Sequence, residues 1–179
     1  VEGYSQLGAS TGASGRGGRL QIDATESIEV VGTGDRSVTN GLLARSLGSG
    51  DAGNVRIDTP RLSVRNGGTI SVSSSSTGAA GNLDLTADRL ILEGSQLTAE
   101  TAAGDRANIR LQVSDLQLRQ GSQIATNSTG IATGGNIQIE TRTLVALENS
   151  DITANARQGQ GGRVSVIAEG VLGTAFRSQ

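Results

Sequence analysis

Gly134-Gly135-Asn136-Ile137-Gln138-Ile139 is the stretch that decides the fold, because it is one of six versions of the same cassette. The others are Gly53-Asn54-Val55-Arg56-Ile57, Gly81-Asn82-Leu83-Asp84-Leu85, Ala107-Asn108-Ile109-Arg110-Leu111, Gly18-Arg19-Leu20-Gln21-Ile22 and Gly162-Arg163-Val164-Ser165-Val166. The Asn or Arg anchors at 19, 54, 82, 108, 136 and 163 are 35, 28, 26, 28 and 27 residues apart. A fixed period in this range marks a chain built of stacked repeats.

Working outward from each anchor, three short runs of alternating apolar residues follow, divided by turn residues. After Asn82 they are Leu83/Leu85/Ala87, Leu90/Leu92 and Leu97/Ala99, with Asp84, Ile91 and Thr98 on the opposite face. After Asn54 they are Val55/Ile57/Thr59, Leu62/Val64 and Ile70/Val72, and after Asn108 they are Ile109/Leu111/Val113, Leu116/Leu118 and Ile124/Thr126. After Asn136 the reading is Ile137/Ile139/Thr141, Val145/Leu147 and Ile152/Ala154. Three strands per repeat, each with one apolar side, predict a chain winding round a triangular core. No window holds the i, i+3, i+4, i+7 spacing of a helix.

The turn residues agree with this alignment. Gly67, Gly94, Gly121 and Asn149 occupy one position between the second and third runs. Gly replaced by Asn is the exchange expected where the backbone needs positive φ. Pro60 falls at the preceding corner, where no ladder donor is lost. One coil buries about six aliphatic side chains, too few to offset the ordering of about 27 residues. Neighbouring coils must supply the rest.

The expected fold is therefore all-β: a right-handed parallel β-helix, or β-solenoid, with three short strands per coil, about 27 residues per coil and roughly six coils. The right hand follows from the crossover rule for parallel strands. The coils run 19–53, 54–81, 82–107, 108–135 and 136–162, with partial coils at 1–18 and 163–179, in a single segment 1–179. Gly3-Tyr4-Ser5-Gln6-Leu7-Gly8-Ala9 matches a third run, so the chain is expected to begin inside a coil of a longer protein. The last unit leaves the pattern at Gly173, where Phe176 is placed to lid the final coil.

Composition narrows the functions. The chain has one Tyr, one Phe and no Trp or Met, so the core must be Val, Ile, Leu, Ala and Thr. It has no Cys and no His, which removes thiolate metal sites, disulfides and the usual nucleophilic triads. Fifteen arginines against seventeen carboxylates give a net charge of −2, no general pull toward nucleic acid. No run of about 18 apolar residues is present to span a membrane as a helix.

Stacking aligns equivalent positions into files. Asn54, Asn82, Asn108 and Asn136 are expected to form an amide ladder, each side chain bonding the next, bounded by Arg19 and Arg163. Beside it, Arg56, Asp84 and Arg110 alternate in sign. A file of Ser71, Thr98, Ala125 and Thr153 points outward, small and flat: it either permits lateral contact with another chain or avoids crowding between coils. The first full unit is long by seven residues, which places Thr33, Gly34, Asp35, Arg36, Ser37, Val38, Thr39, Asn40 and Gly41 in a loop at a corner, the candidate interaction loop.

Gly32-Thr33-Gly34-Asp35, Gly48-Ser49-Gly50-Asp51 and Ala103-Gly104-Asp105 share pieces of Gly-rich calcium-binding repeats but lack their tandem nine-residue spacing, so they read as turns. No metal, cofactor or catalytic residue is assigned. Asp84 between two arginines is a carboxylate held ionised, not one poised as an acid.

With the repeats aligned, the Gly-Asn-Ile-x-Ile cassettes, the Ser-Gln-Ile/Leu segments and the closing stretch Gly161 to Arg177 resemble the repeat region of filamentous-haemagglutinin-type exoproteins of two-partner secretion, including the cyanobacterial ones labelled S-layer-like. The resemblance implies Sec export followed by an outer-membrane partner transporter, a parallel β-helix and an adhesive or surface-structural role. It carries over no catalytic residue, and the family's N-terminal secretion domain is not among these repeats. The expected function is a non-enzymatic structural or adhesive stalk of a secreted, cell-surface exoprotein, meeting extracellular macromolecules such as polysaccharide. Two alternatives stand beside it: a polysaccharide-active β-helix, lyase or hydrolase, and a self-assembling surface-layer or fibre subunit.

Overall fold

The computed structural model describes residues 1–35, 40–104 and 106–173. Among these there are thirteen strands and no helix. They are β1 (Gln6–Thr11), β2 (Leu20–Asp23), β3 (Ser27–Val31), β4 (Gly41–Ser46), β5 (Val55–Arg65), β6 (Thr69–Ser74), β7 (Leu83–Glu93), β8 (Gln96–Thr101), β9 (Ile109–Arg119), β10 (Gln123–Ser128), β11 (Ile137–Ala146), β12 (Asp151–Ala156) and β13 (Val164–Leu172).

All pairing between these strands is parallel, in two sheets. One sheet runs β1-β4-β6-β8-β10-β12, and the other runs β13-β11-β9-β7-β5 and ends on β2 and β3, which both pair with β5. The chain alternates between the sheets and descends one level per coil, which makes a β-solenoid. Val55 pairs with Leu83, Leu83 with Ile109, Ile109 with Ile137 and Ile137 with Val164, so the repeat read from the anchors is the repeat of the ladder.

The first two runs of each middle coil join into one long strand that bends without stopping. In β5 the buried residues are Val55, Ile57 and Thr59, then Leu62 and Val64, so the alternation skips a step at Pro60 and Arg61. The ladder skips at the same place: Thr59 pairs with Ala87 and Arg61 with Arg89, leaving Pro60 and Asp88 unpaired. In the first coil the same bend separates β2 from β3 completely. Two successive outward residues turn the strand, giving three faces: residues 83–87, 90–93 and 96–101 in one coil.

The second corner requires left-handed backbone, as the Gly/Asn exchange implies. Gly67, Gly94 and Gly121 have φ of 81°, 56° and 68°, and Asn149 has φ of 61°. The residue after each turn closes the corner with a hydroxyl in three of the coils. Ser95 donates to the Val64 carbonyl at 2.8 Å, Ser122 to the Arg119 carbonyl at 2.6 Å, and the Ser122 and Ser150 oxygens accept the N–H of Ser95 and Ser122, each at 3.2 Å.

The core is one aliphatic column, with Val55, Leu85, Leu90, Leu97, Ile109 and Leu116 among its buried members. One expectation is corrected here. In β11 the inward residues of the second face are Leu144 and Ala146, paired with Leu116 and Leu118, whereas Val145 is half-buried and Leu147 exposed. Leu144 follows Asn136 by the same interval as Leu90 follows Asn82. The ladder's fixed spacing overrides the greater hydrophobicity of Val145 and Leu147.

Candidate functional site

The anchor file lies where the chain enters the first face. From Asn82 to Arg163 each anchor's N–H points toward the coil above before the ladder has begun, so it has no strand partner there. The asparagine one level up supplies one. Asn54 Oδ1 accepts from the Asn82 N–H at 2.8 Å, Asn82 Oδ1 from Asn108 at 3.2 Å, Asn108 Oδ1 from Asn136 at 2.9 Å and Asn136 Oδ1 from Arg163 at 3.0 Å. The expected side-chain-to-side-chain ladder occurs at one rung, Asn108 Nδ2 to Asn82 Oδ1 at 3.0 Å. The carboxamide oxygen is better used on the unpaired backbone donor. Asn82, Asp84, Asn108, Arg110, Asn136 and Gln138 line a shallow concavity of about 290 Å³ along this file. A second, of about 310 Å³, continues it upward past Arg16, Arg19, Asp51 and Asn54.

The neighbouring charges are less engaged than their alternation in sequence implies. Arg110 lies 3.9 Å from Asp84, and no ion pair joins Arg56 to Asp84 among the described residues. Both are exposed, long side chains, for which a fixed pair gains little over solvent.

The far edge of the first face is a wider groove of about 650 Å³ along the bend, containing Asp58, Asp88, Glu140 and Glu169 with Arg142. Next to it, Asp115 accepts from Thr143 Oγ1 at 2.7 Å and from Arg142 at 3.3 Å, with Arg89 at 3.8 Å. The Thr143 hydroxyl, then Arg142, hold the Asp115 carboxyl below its ordinary value. Glu148 is lowered likewise, by Arg119 at 3.0 Å and then by the Gln120 N–H. A general acid needs the opposite displacement.

The corner loop begins and ends tightly. Gly34 donates to the Asn66 carbonyl at 2.7 Å, Asn66 Nδ2 donates to the Gly32 carbonyl at 3.1 Å, and the Asp35 N–H reaches Thr33 Oγ1 at 3.4 Å. Asn40 is buried, with no hydrogen bond to its side chain among the described residues. Gly41, at φ 127°, lies against the Thr69 backbone, where a Cβ would overlap its carbonyl oxygen. Arg36, Ser37, Val38 and Thr39 lie outside the described residues, as do Asp105 and Phe176, so the loop's contact surface and the lid are not described.

The outward file of the third face is largely enclosed. Ser71 and Thr98 are 7% exposed and Ala125 fully buried. Each small side chain sits between its equivalents above and below, and Thr98 and Ala125 also lie between longer ones along the strand: Gln96 and Glu100 beside Thr98, Gln123 and Asn127 beside Ala125. Thr98 closes the file by donating to Ser71 Oγ at 2.9 Å. At Thr98 and Ala125 the file is sunk between taller neighbours, which agrees with small residues that avoid crowding between coils.

Sequence reading also missed the hydroxyls that end the third face. Ser74 donates to the Gly78 carbonyl at 2.6 Å, and Ser46 and Ser128 bond the carbonyls of Gly50 and Ala132 in the same way. The signal was present as Ser at one file position, four residues before the carbonyl it holds. Of the three calcium-like fragments, Asp51 is engaged as a turn residue, accepting from the Ala79 N–H at 2.9 Å and pairing with Arg16 at 3.3 Å. No group of three or more potential metal-ligating residues occurs among the described residues.

No family model matches the chain, and no curated protein or solved structure matches it either.

Proposed function

We propose that this chain is a non-enzymatic stalk segment of a secreted cell-surface exoprotein of the two-partner-secretion, filamentous-haemagglutinin type. The observation that carries the reading is the unbroken register of both sheets from β1 to β13, which makes the segment a rod whose length is set by coil number. Such a rod works mechanically: it holds whatever it carries at a fixed distance, and each further coil adds about 4.8 Å. The resemblance of the cassettes supports the export route and the surface location, and the exposed corners offer places for adhesive contact.

Two experiments test this. An epitope placed between Thr33 and Gly41 in the full-length protein is expected to be stained by antibody on intact cells; staining only after lysis removes the surface assignment. Removing residues 82–107, so that Gly81 joins Asn108, is expected to leave a cooperatively melting β-rich protein one coil shorter. Loss of folding would mean the coils are not interchangeable spacer units.

The acidic groove favours a second reading, a polysaccharide-active β-helix, because Asp88 and Glu140 face one concavity. Release of reducing ends or unsaturated products from acidic polysaccharides, abolished by Asp88→Asn or Glu140→Gln, would replace the stalk reading with this one.

A further inference from the structure

The two edges of the first face differ in sign. One edge is the acidic groove of Asp58, Asp88, Glu140 and Glu169. The other is the anchor file with the outward file beside it, which holds Arg19, Arg56, Arg110 and Arg163, with Arg106 exposed on the adjoining loop. Of these five, Arg110 alone has a carboxylate within ion-pair distance among the described residues, and that contact is the long one to Asp84 at 3.9 Å.

The asparagines add to the same character. Their oxygens are spent on the backbone of the coil below, whereas the Nδ2 groups of Asn54, Asn82 and Asn136 bond nothing among the described residues. The asparagines therefore present donors outward, and the two carboxylates of this edge, Asp51 and Asp84, are outnumbered by its arginines. Arg19, Arg110 and the asparagines line the two concavities of this edge, and Arg56, Arg106 and Arg163 stand exposed beside them. With about 4.8 Å per coil, Arg56 and Arg110 are two levels or about 10 Å apart along the axis, as are Arg110 and Arg163 in adjacent files, and the two files together span about 24 Å.

We propose that this stripe binds a linear, carboxylate-bearing polysaccharide lying along the solenoid axis. An extended uronate chain offers carboxylates, which only accept, and hydroxyls, which can accept as well as donate, and its charges recur along one side. It is narrow enough to lie on two files without reaching Asp58 and Glu140, one file further along the strands. A nucleic-acid duplex would extend over that acidic groove. A single strand would lack a row of aromatic platforms, since the chain has two aromatics in all, Tyr4 and Phe176. This site is independent of the stalk reading, and it does not involve the acidic groove on which the enzyme reading rests.

The test uses the 179-residue chain and immobilised polygalacturonate, with its fully methyl-esterified form as the neutral comparison. The parent is expected to bind the acid form, to release it as salt rises, and to ignore the ester. Arg19→Gln/Arg56→Gln/Arg163→Gln should weaken binding at least tenfold at unchanged melting temperature. Arg61→Gln/Arg89→Gln/Arg142→Gln, which removes the same charge in and beyond the acidic groove, should change it less than twofold. Should the stripe triple melt early, Arg56→Gln alone is expected to cost severalfold. Equal losses in both triples, no binding by the parent, equal binding to the ester, or tighter binding to single-stranded DNA or anionic vesicles would each overturn the proposal.

Discussion

Val55 and Val164 are the same residue in the same inward file, yet Val55 is fully buried and Val164 is 40% exposed. Ile57 and Val166 repeat the contrast one step along, at 0% and 38%. The difference is that Val55 and Ile57 have coils on both sides, whereas β13 has β11 above and no described strand below. In a solenoid, burial belongs to the stack rather than to the residue, and stability is set between nearest neighbours. Middle and end of this chain are thus the same local structure with different energetics.

The sharpest way to break that comparison is to charge both places. Leu111→Asp puts a carboxylate among fully buried aliphatics, with no cation to pair it, and is expected to cost more than about 4 kcal/mol and abolish cooperative folding. Val166→Asp, in the same file at the exposed end, is expected to cost about 1 kcal/mol and leave the melt intact. Comparable losses would mean that stability is spread globally and not from coil to coil. Urea melts followed by circular dichroism read both.

The residue before each anchor gives the next largest effect. A Cβ on Gly135 would lie 1.7 Å from the Ala107 carbonyl oxygen, so the two backbones touch with no room for a side chain. Gly135→Ala is expected to cost about 3 kcal/mol by overpacking. Ala107 occupies the same file position and is buried in the core, at the start of the unit that follows the shortest spacing, 82 to 108. Ala107→Gly should cost only about 1 kcal/mol, the ordinary entropic and packing loss. A melt of Gly135→Ala matching the parent would show that adjacent coils can separate at this point.

These contrasts also show what could be read from the chain itself. The anchors, the inward files and the positive-φ corners were legible because each depends on residue type at a fixed distance along the strand: Leu83, Leu90 and Leu97 have no other side to face. The second face of the coil after Asn136 was misread because Val145 and Leu147 look more apolar than Leu144 and Ala146, although the repeat distance favours the latter pair. The enclosure of Ser71, Thr98 and Ala125 could not be read from alternation. It depends on the height of side chains two residues away and one coil away, a two-dimensional neighbourhood. For the same reason the sequence named the asparagine file but not the use of its oxygens: that turns on which backbone N–H lacks a partner at the strand entry.

A smaller effect separates the two corner serines. Ser122 is fully buried, accepts the Ser95 N–H and donates to the Arg119 carbonyl, so Ser122→Ala leaves the buried Ser95 N–H unpaired, while the carbonyl keeps the Gly94 N–H at 3.1 Å. It is expected to cost about 2 kcal/mol. Ser150 does the same service for Ser122, one coil nearer the end and half-buried, and Ser150→Ala should cost about 1 kcal/mol, water replacing part of the loss. The reverse order would contradict the nearest-neighbour account.

The smallest expected effect is acid sensitivity, which arises from Asp115 and Glu148. Both carboxyls have folded-state values below the ordinary 3.8 and 4.5, lowered chiefly by the Thr143 hydroxyl and by Arg119. A carboxyl depressed on folding stabilises the native state above its unfolded value, and that contribution is lost as pH falls through the lower, folded value. Stability should therefore begin to fall near pH 4.5 as Glu148 contributes less, and further below pH 3.8 with Asp115. Glu148 is open to solvent and Asp115 partly so, so the loss is small and shrinks with added salt. Thr143→Val should flatten the lower part of the profile and Arg119→Gln the upper part. A profile unaltered by either change would assign the acid response to other carboxylates, and with it the view that these cross-coil contacts tie β9 to the coil beneath it.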